Sequence, residues 1–190
     1  GGGVGGLFRL ALVVFDDQVT YAVKFFYRRH QWSPKFFPGE KGYLLFSDDI
    51  DNDPGFLEKK QKNPKIRWLP EEAYKDRHRR GGRTVEKGTG YVSKKPPRWK
   101  RFIPVRVRAM VLAGDKLVVA GPPDIVVPDD PLAAFEGRAG AELRIFAAAD
   151  GSPVTSIKLP APPVFDGISA ARGRLYMATA DGRLVCMAGE

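Results

Sequence analysis

VRAMVLAGDKLVVA, residues 107–120, is two apolar runs joined by Gly114 and Asp115. Glycine takes positive φ without steric cost and aspartate tolerates it, so this pair fits a two-residue hairpin turn between strands Val107–Ala113 and Leu117–Ala120. The same pattern recurs on either side. In LALVVFDDQVTYAVKF, residues 10–25, Asp16 and Asp17 separate Leu10–Phe15 from Val19–Phe25. In ISAARGRLYMAT, residues 168–179, Arg172 and Gly173 separate Ile168–Ala171 from Leu175–Thr179. Elsewhere β-branched and aromatic runs are bounded by Gly, Asp and Pro, and no window carries a period of 3.6. The chain therefore reads as all-β.

The spacing of the turns gives the organisation. Those at 114 and 172 lie 58 residues apart and those at 16 and 114 lie 98 apart, so an insertion of about 40 residues interrupts the first interval. Two further strands follow each of the first two hairpins: Tyr43–Phe46 and Trp99–Ile103, then Leu143–Ala147 and Val154–Leu159. After the third hairpin comes Leu184–Met187 alone. Repeated units of four antiparallel strands mark propeller blades. The expected fold is thus a partial β-propeller of four-stranded antiparallel blades, about 2.75 of them, with a basic irregular insertion. Residues 1–48 hold the first three strands, 49–96 the Pro/Lys/Arg-rich insertion and 97–190 the C-terminal blades. An incomplete last blade leaves unpaired edges, which leads us to expect a fragment of a longer protein, with the remaining blades as its first partners.

Charge is regional. The 190 residues hold 31 Lys+Arg against 22 Asp+Glu, but 16 of those cations and only five acids fall between Glu58 and Arg101. Within that stretch Arg77, Arg79, Arg80, Lys94 and Lys95, interleaved with Trp68, Tyr74, Tyr91 and Trp99, form a candidate surface for nucleic acid or an anionic membrane face. An exposed insertion kept soluble by its charge is the favoured reading, and nucleic acid the disfavoured one. The loop Asp48-Asp49-Ile50-Asp51-Asn52-Asp53 places carboxylates at alternate positions 49, 51 and 53, the way a hard-cation loop begins. Pro54 then stands where such a loop needs glycine and Lys60 where it needs a bidentate Glu. Asp49, Asp51 and Asp53 are accordingly a weak Ca²⁺ candidate beside the plainer reading of a solvated acidic turn.

Several chemistries are disfavoured. One cysteine, Cys186, excludes an intrachain disulfide, and its setting in Leu184-Val185-Cys186-Met187 suggests a small core residue. No apolar run reaches membrane-spanning length. Gly1, Gly3 and Gly6 match a dinucleotide-binding glycine pattern but lack the preceding strand and following helix it requires. His30 and His78 are isolated, and no nucleophile motif occurs.

Three segments carry a family resemblance: IPVRVRAMVLAGDKLVVAGPPD (103–124), DPLAAFEGRAG (130–140) and LRIFAAADGSPVTSIKLPAPPVFDGISAARGRLYMATADGRLVCM (143–187). Together they resemble the C-terminal blades of bacterial PQQ-like (quinoprotein alcohol dehydrogenase-like) β-propeller repeat proteins. The repeat motif of that family is an Ala, an Asp two positions on, Thr-Gly-Lys and a Trp that stacks between neighbouring blades. Here Ala147-Ala148-Ala149-Asp150-Gly151 occupies the place with no Thr and no following Trp. The resemblance implies a non-catalytic scaffold for protein or carbohydrate partners. Its alternative is the C-terminal part of a PQQ-dependent dehydrogenase whose PQQ and Ca²⁺ site lies on blades outside this chain. No cofactor is expected on these residues, and the vicinal cysteines of the enzymes are impossible with one Cys. An exported location, periplasmic or cell-envelope, is likewise implied by the resemblance alone.

Overall fold

The computed structural model describes residues 10–24, 42–52 and 95–188. These form three antiparallel sheets, with no closed barrel. The first has the order β1 (Leu10–Phe15), β2 (Val19–Lys24), β3 (Tyr43–Asp49), β4 (Trp99–Ile103). The second is β5 (Ala109–Ala113), β6 (Lys116–Gly121), β7 (Ala141–Ala147), β8 (Pro153–Leu159). The third is β9 (Pro163–Ala171), β10 (Arg174–Thr179), β11 (Leu184–Ala188). Each strand pairs with its sequence neighbour, so every sheet is a meander. The first sheet draws β3 and β4 from opposite sides of the basic segment, pairing Tyr43 with Ile103 and Ser47 with Trp99.

The turn chemistry follows the residues. Ala113 pairs with Lys116, and between them Gly114 has φ +61° while Asp115 does not go positive, the pattern of a type II′ hairpin. Ala171 pairs with Arg174 across Arg172 (φ +51°) and Gly173 (φ +71°), the type I′ pattern. The first hairpin is wider. Its Asp16 carboxylate accepts the N–H groups of Gln18 and Val19, both at 2.8 Å, an arrangement that holds the Asp16 carboxyl below its ordinary pKa.

Packing explains why the strands alternate as they do. Leu117 and Val119 of β6 face the first sheet, joining Tyr21, Val23, Tyr43, Leu45, Trp99 and Phe146 in one core. Val118 and Ala120 of the same strand face the third sheet, joining Leu143, Leu159, Ile168 and Met177 in another. The middle sheet is thereby buried on both faces, which is why β6 reads as a continuous apolar run rather than an alternation. The sheets approach most closely along their first strands, β1 against β5 and β5 against β9. Away from those strands they diverge.

Two details differ from the sequence reading. The strand expected from Ile168 begins at Pro163, because Val164–Gly167 bulges out of the ladder, with Asp166 at φ +56° donating its N–H to the Arg108 carbonyl. The loop after β6 holds one helical turn, α1 (Ala133–Glu136), ended by Gly137 at φ +90°. Among the described residues no helix is long and apolar enough to cross a membrane.

Candidate functional site

Where the first and second sheets diverge, Trp99 fills the gap. It is the first residue of β4, and its indole N–H donates to the Ala148 carbonyl at 2.9 Å. Its ring lies over Gly151, so close that a Cβ there would stand 2.5 Å from it. Arg101, two residues along the same face, donates from Nε to the Gly151 carbonyl at 2.7 Å. Tyr21 adds a tilted ring contact at 6.1 Å. The turn Ala148-Ala149-Asp150-Gly151 therefore has a docked tryptophan. Sequence reading missed it by searching the strand that follows the turn. The residue arrives from the preceding sheet, 49 positions upstream, and its signal was its place at the start of β4.

The second and third sheets diverge in the same way, but no aromatic side chain enters. The small side chains of Ala113 and Ala170 stand there, and a cleft of about 650 Å³ results. Its walls are Val118, Leu143, Ile145 and Ile157 from the second sheet, with Leu175 and Met187 from the third. The two hairpin turns form its lip: Asp115 and Lys116 on one side, Arg172, Gly173 and Arg174 on the other. Lys116 is paired with Asp115 at 3.1 Å, which lowers the Asp115 pKa. Among the described residues Arg172 and Arg174 make no ion pair. Volume, apolar walls and a few polar groups at the rim are the ordinary features of a small-molecule site.

The acidic loop is organised by Asn52. Its side-chain amide donates to Asp48 Oδ1 at 2.6 Å and to the Lys95 carbonyl at 2.9 Å, while its oxygen accepts the Lys95 N–H at 2.8 Å. Asn52 thus clamps together the two ends of the basic segment. Asp49, one cation candidate, receives Arg98 Nε at 2.5 Å. Asp51 is exposed, and Asp53 lies outside the described residues. No group of three or more His, Cys, Asp or Glu placed to hold a metal occurs among the described residues. Asp48, not singled out by sequence, is the buried carboxylate here. Burial raises its pKa against the bonds from Asn52 and Asp49, and Oδ2 has no hydrogen-bond partner. Of the basic candidates, Arg77, Arg79, Arg80 and Lys94 lie outside the described residues, and Lys95 is held through its backbone.

A third polar cluster sits at the linkers. Arg106 lies over the rings of Tyr43 (5.7 Å) and Phe135 (5.1 Å) and pairs with the nearly buried Asp124 at 3.3 Å. Burial raises the Asp124 pKa and Arg106 opposes it. Burial likewise raises the Tyr43 hydroxyl and lowers the Arg108 pKa. Arg108 donates to the Phe135 carbonyl, linking α1 to the Asp166 bulge. Around these linkers Ile125, Val126, Leu132, Phe135 and Phe165 are exposed.

Cys186 corrects an expectation. It is exposed, because β11 turns Val185 and Met187 toward the second sheet and Leu184, Cys186 and Ala188 away from it. An uninterrupted apolar run cannot tell these two faces apart.

No protein-family model and no curated protein matches this chain. Among solved structures it is similar to one described as the crystal structure of the computationally designed Ika4 protein. That likeness has a TM-score of 0.41 at 7% identity, over 97% of this chain and 94% of the other.

Proposed function

We propose that the chain is a non-catalytic binding module made of successive blades of a PQQ-like β-propeller, a scaffold whose linker loops take a protein or carbohydrate partner. The observation that carries the reading is Trp99 stacked on the Ala148–Gly151 turn with its indole N–H on the Ala148 carbonyl. A tryptophan of one sheet docked on the Ala-x-Asp turn of the next is what the family resemblance leads one to expect. The adjacency of β1, β5 and β9 supports it further, since strands that converge on one side and splay on the other are how blades surround an axis. The exposed apolar residues of the loops and of the β9 bulge, Phe165 at 65% among them, support a partner-facing surface on that scaffold.

The test is a titration of the purified chain with PQQ and Ca²⁺, followed by a dye-reduction assay with short alcohols. The proposal expects no dye reduction at any loading. Turnover dependent on PQQ would overturn it by placing a quinone site on this chain.

A further inference from the structure

We propose that the cleft between the second and third sheets binds a linear alkyl carboxylate. Its volume of about 650 Å³ is that of a small-molecule pocket. Its walls are two opposed sheet faces carrying Val118, Leu143, Ile145, Ile157, Leu175 and Met187, a slot suited to a flexible chain. The lip selects the head group. Lys116 and Arg172 stand there against one carboxylate, Asp115, which Lys116 already engages, while Arg174, paired with Ala171 and Ala188, alternates to the sheet face opposite that of Leu175 and Met187. That leaves the Arg172 guanidinium, whose planar donor pair matches a carboxylate.

Arg172 holds φ +51° at the tip of the β9–β10 hairpin, a position that Gly, Asn or Asp occupies with less strain. The residues that line the cleft come from β5–β11 alone.

Isothermal titration of the purified chain with decanoate and with decyltrimethylammonium, both below their micelle-forming concentrations, separates chain from charge. Decanoate is expected to bind about tenfold or more tightly, one to two charge-assisted hydrogen bonds' worth. Arg172→Gly suits the turn and should weaken decanoate about tenfold while leaving the cation no weaker. Ala170→Phe, which fills the floor, should weaken both, with circular dichroism confirming that each variant is folded. Equal affinities for the two ligands, or unchanged decanoate binding in Arg172→Gly, would overturn the proposal. So would a ligand-independent dimer in sedimentation that Ala170→Phe abolishes, because the occupant would then be a second copy of the chain.

Discussion

Asp48 and Gly151 show how much individual positions carry. With the Asp48 pKa raised in the folded state by burial, its neutral form is the one the fold favours. The corresponding stability is complete below the ordinary value of 3.8 and is lost as pH rises through the higher folded value. Asp48→Asn keeps an acceptor for Asn52 and puts an amide where an unmatched oxygen was. We expect it to remove that loss and to raise unfolding free energy at pH 7 by about 1 kcal/mol or more. Urea melts of both proteins between pH 3 and 7 check this; a wild-type slope persisting in the variant would refute it. Gly151 combines φ +70° with the overlying indole, whereas Gly173 has φ +71° and open space around it. Gly173→Ala should therefore cost about 1 kcal/mol and Gly151→Ala about 2–4 kcal/mol, since only the latter also displaces Trp99. Equal denaturation midpoints for the two variants would mean that Trp99 is not docked.

At the level of elements, β11 is an edge strand whose residues, Leu184–Ala188, include neither a charge nor a proline. Such edges pair with other chains unless something blunts them. Cys186→Lys, on the exposed face, is expected to reduce concentration-dependent association seen by light scattering while changing folding stability by no more than about 0.5 kcal/mol. Association unaffected by the lysine would place the sticky surface elsewhere. The eleven strands of the described residues were legible because turn residues and apolar runs act locally: Gly114-Asp115 and Arg172-Gly173 close hairpins whatever surrounds them. What was not legible depends on partners distant in sequence. Trp99 meets Ala148, Asn52 meets Lys95, and the exposed side of Cys186 is settled by which face of β11 meets the second sheet. The cleft escaped sequence reading for the same reason, since small residues signal a gap only once the opposing wall is known.

Across the whole molecule, three sheets converge along β1, β5 and β9 and splay apart toward β4, β8 and β11. Trp99 fills the first wedge and the alkyl-lined cleft occupies the second. A plain stack of parallel sheets would give neither a wedge nor a place for the indole. Spin-label distances discriminate the two directly. Val13, Ala22, Phe46 and Lys100 form one row across the first sheet, and Val111, Val118, Ile145 and Thr155 one row across the second. In a Cys186→Ser background, labels at Val13 and Val111 report the separation at the converging side, and labels at Lys100 and Thr155 report it at the splayed side. A longer Lys100–Thr155 distance than Val13–Val111 distance is the predicted result; equal distances, or the reverse order, would contradict the blade arrangement.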